Sequence, residues 1–247
     1  MKVHLMYHDI YESNINESGF LRKRDLPYKI NAIQFEDQIK AIKGYCDKNK
    51  KSQDDIVFTF DDGGKSFYNV AAPILEKYGF RGLFFVTTQY IGTKTFLSRN
   101  EILELHQRGH IIGSHAHSHE HMYSLSNDEV VKEWQNSIDI LSNILGESIK
   151  NVSIPNGDVS KRVLDAISSH DIQYVYTSEP TTQTKNYKGM EIIGRYVVLS
   201  DSSTEEILSI VSCNFKRCIL YAKYHILRLI KRVLGSYYVK LKNVIFK

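Results

Sequence analysis

Ile56-Val57-Phe58-Thr59-Phe60-Asp61-Asp62-Gly63-Gly64 sets an apolar run against two carboxylates and a pair of glycines. The run reads as a buried strand and the glycines break it, so both aspartates fall at the strand's C-terminal end. In α/β folds, that is where chemistry usually sits. Adjacent side chains on an extended backbone point to opposite sides, so Asp61 and Asp62 can hardly bind one ion symmetrically. A division of labour follows: one carboxylate binds metal and the other handles protons.

Some fifty residues on, the chain reads His115-Ala116-His117-Ser118-His119. His115 and His119 lie four apart, which places them on one face of either an extended or a helical segment, and neutral imidazole suits a divalent transition metal. Asp62, His115 and His119 would make three protein ligands with positions left open, as expected of a catalytic rather than a structural site. Taken singly, Asp-Asp-Gly is a common turn, and the tract holding His110, His115, His117, His119 and His121 can be a solvated loop. Their joint occurrence beside two strand ends, with a strand-helix-strand between them, points to a metal-assisted hydrolase.

Outward from this stretch, strands alternate with helices. Strand 56–60 follows a helix at 35–45 and precedes one at 66–78 that Gly79 ends; a strand at 83–87 comes next. Ser98 with Glu101 forms a capping-box signature for the helix that Gly109 terminates, and strand 110–114 delivers the histidines. Ser126 with Glu129 opens another helix, on which Trp134 falls at helical spacing with Val130, Val131, Ile138, Leu141 and Leu145 as core. Strands near 151–154, 172–177 and 191–198 follow, with a helix around 160–169, and a polar loop at 11–30 is placed to overhang the site. This succession predicts an α/β fold: a single distorted, incomplete (β/α) barrel.

Thr59-Phe60-Asp61-Asp62-Gly63 followed by His-x-His-Ser-His resembles the polysaccharide deacetylase family, also called the NodB-homology or carbohydrate esterase family 4 domain, over roughly residues 1–200. The resemblance implies the same barrel, Asp61 as general base, Asp62, His115 and His119 as metal ligands, and removal of N-acetyl groups from a glycan. His117 and His121 are not carried over; local packing or hydrogen bonding is their expected role. The family's third motif, Arg-x-Pro-Tyr-Gly, here reads Ser153-Ile154-Pro155-Asn156-Gly157, without the arginine that orients the base. Pro155 and Asn156 keep the backbone N–H that helps bind an oxyanion, since a backbone donor does not depend on side-chain identity. The late Leu-x-His motif, source of the general acid in many relatives, is not visible.

Val3-His4-Leu5-Met6-Tyr7-His8-Asp9-Ile10 offers a replacement. It is similar to the opening of the branch that de-N-acetylates poly-N-acetylglucosamine, in which a histidine at this position serves as catalytic acid. That resemblance implies His8; the other reading is a strand-end histidine bonded to a neighbouring carbonyl. Arg195, at a late strand, can orient Asp61 in place of the missing arginine, or form a surface ion pair. Zinc is the first choice for two His and one Asp, with Co, Ni, Fe or Mn able to use the same ligands. A degenerate relative that binds glycan or metal without turnover, and a deformylase or esterase on the same machinery, remain open.

The chain has 247 residues, 42% of them hydrophobic, enough for one large α/β domain. Cys46, Cys213 and Cys218 are odd in number and lack CxxC spacing, so free thiols and a cytoplasmic setting are expected. No secretory leader or membrane-spanning run is read. Residues 1–206 are expected to form the catalytic domain, and residues 207–247 a basic amphipathic helical tail with nine Lys or Arg and no Asp or Glu. Such a segment suits peripheral contact with an anionic membrane or packing as a terminal hairpin with a solvated basic face. Nucleic acid is not expected as a partner, because no recognition motif accompanies the charge.

Overall fold

The structure, a computed structural model, describes residues 1–234. β1 (Val3–Tyr7) runs almost directly into β2 (Asp9–Tyr11); a long loop with a 3-10 turn at Lys23–Tyr28 leads to β3 (Lys29–Asn31) and α1 (Ala32–Asn49). β4 (Ile56–Phe60), α2 (Ala72–Lys77), β5 (Gly82–Val86), α3 (Arg99–Gln107), β6 (Ile111–Ser114), α4 (Asn127–Leu145), β7 (Asn151–Ser153), α5 (Lys161–Ile167) and β8 (Tyr174–Tyr176) then alternate. A hairpin of β9 (Lys185–Tyr187) and β10 (Met190–Ile193) precedes β11 (Tyr196–Val197), α6 (Thr204–Ser212) and α7 (Asn214–Leu234). The capping boxes at Ser98/Glu101 and Ser126/Glu129 both form, satisfying first-turn N–H groups of α3 and α4.

Nine strands make one sheet in the order β11-β1-β4-β5-β6-β7-β8-β10-β9, parallel but for the β9–β10 hairpin. Strands β1 and β5 are buried along their whole length, as a parallel sheet covered by helices requires. β10 pairs with β8 near one end of this sheet, whereas β11 pairs with β1 at the other. Only Gly194 and Arg195 join them, and three Cα steps of about 3.8 Å reach no more than about 11 Å. The sheet must therefore curl until its two ends face each other, which is the expected incomplete barrel. A Cβ on Gly194 would stand 2.3 Å from the Glu179 carbonyl oxygen, so this seam accepts glycine alone.

The sequence reading of one strand over 191–198 is thus corrected: the segment is two strands at opposite ends of the sheet, broken at the crossing. The expected loop at 11–30 carries the 3-10 turn and β3, and β3 pairs with β2. A buried Lys29 ammonium fastens it by donating to the Asp9 carboxylate and the Ser18 carbonyl. On α4, Trp134, Val130, Ile138 and Leu141 enter the core as expected, while Val131 faces solvent. The expected boundary at 206/207 falls inside α6, whose Ile207, Ile210 and Val211 are buried in the common core. Residues 235–247 of the expected tail lie outside the described residues.

His4 points into the barrel from β1, its ring edge-on to Tyr176 at 5.7 Å. Burial first, then the Arg195 charge, pushes its pKa down to about 4. The unfolded chain, with an ordinary histidine near 6.5, binds the proton that the folded chain refuses. Stability is therefore complete above about pH 6.5 and falls as pH drops toward 4, by about 3 kcal/mol from this group. Urea unfolding across that range should show the loss, and His4→Gln should flatten it by that amount; an unchanged pH slope in the variant would show that His4 does not contribute.

Candidate metal centre and active site

The functional side chains leave the sheet at the C-terminal ends of its parallel strands: His8 after β1, Asp61 and Asp62 after β4, His115 after β6, and Ser153 at the end of β7. Arg195 enters at the seam between β10 and β11. Asp62 has φ +87 and Gly63 φ +89, so the backbone turns sharply at the strand end and separates the two carboxylates. Non-glycine residues rarely adopt positive φ, and such strain gathers where function requires it. Ala116 (φ +60), His119 (φ +64) and Asn156 (φ +57) share it within the same site.

The segment from His115 to His119 is neither extended nor helical. Its kinks at Ala116 and His119 fold the loop back, bringing the two imidazoles to 5.1 Å between centroids. Glu133 on α4 anchors the loop by accepting from the backbone N–H groups of His117 (3.0 Å) and Ser118 (2.8 Å). His117 turns instead to Thr88, 2.9 Å from its hydroxyl, and His121 to Asp158 at 3.0 Å.

Asp62, His115 and His119 converge. Asp62 Oδ1 lies 3.5 Å from His115 Nε2 and 3.1 Å from His119 Nε2, and the three candidate ligand atoms stand within 4.8 Å of one another. Asp62 Oδ1 is buried and takes no well-formed hydrogen bond among the described residues, which fits a site built for a cation rather than a proton. His115 Nδ1 sits 3.0 Å from the Ser153 carbonyl, which fixes the tautomer that leaves Nε2 free for metal. Burial works to raise the Asp62 pKa, but the two histidines outweigh it and hold the carboxyl well below the usual range. Burial likewise opposes protonation of His115, and the neighbouring Asp61 and Asp62 carboxylates raise its pKa in spite of it.

Asp61 faces the other way. Arg195 Nη1 donates to its Oδ1 at 2.7 Å and Nη2 to its Oδ2 at 2.8 Å, a two-pronged pair with both side chains buried. Ser153 Oγ donates to Asp61 Oδ2 at 3.1 Å and accepts from Arg195 Nη2 at 2.8 Å. The guanidinium is itself fixed by Thr59 Oγ1 (3.2 Å) and the Thr177 carbonyl (3.1 Å). Burial raises the Asp61 pKa, yet the Arg195 charge and hydrogen bonds bring it below its ordinary value. Asp61 Oδ2 stays 4.0 Å from His115 Nε2, so an ionised carboxylate is held beside the candidate metal pocket.

His8 lines the same cavity, its ring 4.4 Å from that of Tyr28 and its buried Nδ1 without a partner among the described residues. Burial lowers its pKa, against the raising effect of Asp62 and Asp61. Pro155 is buried under the turn that exposes Asn156, whose side chain donates to the His119 carbonyl at 3.4 Å. The cavity measures about 590 Å³. The sequence reading missed Ser153, Phe20, Tyr28 and Tyr224. Phe20 packs 5.0 Å from His119 and is itself covered by Arg22, and Tyr224 reaches the cavity from α7. Phe20 and Tyr28 lie in the long loop and Tyr224 in the C-terminal helix, where no periodicity singles them out, and Ser153 ends a strand whose pattern marks it only as buried.

Residues 48–175 match the family model described as Polysaccharide deacetylase. A poly-beta-1,6-N-acetyl-D-glucosamine N-deacetylase of Staphylococcus aureus (strain MRSA252) is 24% identical, the match covering 83% of this chain and 80% of that protein. YxkH of Bacillus subtilis (strain 168) is 29% identical over 146 residues, 59% of this chain and 52% of YxkH, so the chain spans about half of that relative. Among solved structures, the deacetylase PplD of Streptococcus pyogenes superposes with a TM-score of 0.68 at 22% identity, over 85% of this chain and 98% of PplD.

Proposed function

The chain belongs to the polysaccharide deacetylase family, and from that premise we propose that it is a metal-dependent hydrolase removing N-acetyl groups from an N-acetylated sugar in a polysaccharide, oligosaccharide or lipid-linked glycan. One observation carries the reading: beside three convergent ligands stands a second carboxylate, Asp61, kept ionised by Arg195 and Ser153 and kept out of the ligand set. A protein that only bound metal or glycan would have no use for it.

A divalent metal held by Asp62, His115 and His119 would supply Lewis-acid polarisation of the acetamide carbonyl and an activated water, and zinc best suits that donor set. Asp61 takes a proton from the attacking water as its oxygen bonds to the carbonyl carbon. The backbone N–H of Asn156, presented by the turn after Pro155, donates to the oxygen on which charge develops. His8 gives a proton to the sugar nitrogen as the carbon–nitrogen bond breaks, and acetate and a free amino sugar result. Arg195 positions Asp61, and so fills the place left by the missing third-motif arginine.

Acetate release from N-acetylglucosamine oligomers by the metal-loaded protein tests the reading, and metal content by elemental analysis tests the choice of zinc. No release from a protein with a full complement of metal would sink it. His8→Gln is expected to keep its metal and lose about 10²- to 10⁴-fold in turnover; a smaller drop would remove His8 from the role of acid.

The proposal extends to placement at the inner face of a membrane through peripheral contact by the basic C-terminal segment. The charge of residues 207–247 supports it. Among the described residues, no helix is long and apolar enough to cross a bilayer.

A further inference from the structure

α7 has two faces of opposite purpose. On the inner face, Arg217 donates to the Ile210 and Val211 carbonyls at the end of α6, at 2.8 and 3.1 Å. Leu220 packs against the core, Tyr224 lines the catalytic cavity, and His225 Nε2 stands 3.2 Å from Glu179 Oε1. The outer face carries Phe215, Ile219, Ala222, Ile226 and Leu229, spaced three or four residues apart and so aligned on one stripe. That stripe is open to solvent: Phe215 is 74%, Ile226 58% and Leu229 61% exposed.

An apolar ridge of this length on a surface helix marks a contact. Lys223 and Lys216, the latter also paired with Glu206 at 2.9 Å, border it on one side, and no Asp or Glu occurs between residues 207 and 247. A second copy brought against this face would set like charge against like charge. An anionic bilayer complements both features, taking the apolar stripe below its headgroups and the flanking cations at their level.

We propose that α7 is an interfacial helix that seats the protein on anionic lipid, and that, resting on the deacetylase reading above, the substrate is a glycan anchored in that membrane. The geometry ties docking to catalysis, because the helix that carries the stripe also closes one side of the cavity with Tyr224. The cavity is thereby held within about one helix diameter, about 10 Å, of the lipid surface.

Cosedimentation of the full chain with phosphatidylcholine vesicles, with and without phosphatidylglycerol, tests the docking. Binding should require the anionic lipid, weaken as salt is raised, and fall at least about tenfold in Ile226→Glu/Leu229→Glu, whose circular dichroism and zinc content stay those of the parent. Lys223→Glu should weaken binding by a smaller factor and reduce its salt dependence. Failure of the parent to bind, or equal binding by the double variant, would overturn the proposal. A dimer in light scattering that the double variant dissociates would overturn it too, by making the stripe a subunit interface. Acetate release from an N-acetylglucosamine-headed lipid in anionic vesicles should drop in the double variant while release from soluble oligomers does not. Equal rates on the vesicle lipid would refute the membrane-anchored substrate. Vesicle binding without turnover of either substrate would refute the deacetylase reading and leave the docking standing.

Discussion

Asp61→Asn is expected to hold its metal at full stoichiometry and to lose turnover by about 10²- to 10⁴-fold, the usual worth of a positioned base. Asp62→Ala is expected to lose the metal itself. The reason is the turn at Asp62, whose φ of +87 sends the two carboxylates to different partners. Asp61 is met by a guanidinium and a hydroxyl, Asp62 by two imidazoles. An amide at 61 is neutral but nearly isosteric: it keeps an acceptor for Arg195 while losing the basicity that removes a proton from water. At 62, truncation leaves His115 and His119 as a two-ligand site without the carboxylate charge. Elemental analysis beside acetate release separates the two. Equal metal loss in both variants would show that Asp61 belongs to the ligand set and would reverse the division of roles.

The aspartates were legible because they end a strand that is apolar at nearly every position, so periodicity, termination and chemistry all fall within nine residues. His115 and His119 were legible by residue type and spacing, but not by the geometry that unites them, which depends on positive φ at Ala116 and His119. No propensity argument would place alanine there. Arg195 was one of two readings in the sequence, orienting group or surface ion pair, because its position depends on closure of the sheet. The apolar run over 191–198 reads as one strand; only the pairing of β10 with β8 and of β11 with β1 turns it into a seam with an arginine at its centre. Ser153 was noted for the arginine it lacks. The fold assigns it a purpose, since a small hydroxyl at the end of β7 leaves room for the guanidinium that arrives from the seam and bonds to both members of the pair. Tyr224 was beyond reach of the sequence, as nothing in a basic helix announces that one of its tyrosines borders a cavity formed by residues far earlier in the chain.

Arg195→Met is expected to cost about 3–5 kcal/mol in urea unfolding, because it removes one partner of a buried ion pair and leaves the Asp61 carboxylate charged and dehydrated. Turnover should fall with it, since the carboxylate loses both guanidinium hydrogen bonds and keeps only the one from Ser153. Arg195→Lys should recover little, because an ammonium cannot reproduce two parallel N–H donors and cannot also reach Thr59, Ser153 and the Thr177 carbonyl. The decisive comparison is the double variant Asp61→Asn/Arg195→Met. With no charge left at position 61, most of the electrostatic penalty disappears, and the double variant should be more stable than Arg195→Met alone although it carries one more substitution. Additive losses would mean that Arg195 stabilises the fold through packing against Phe85 and Tyr176 rather than through the pair. Recovery of stability without recovery of turnover would assign the pair to the base, since the same two residues would then be coupled in folding and jointly required in catalysis.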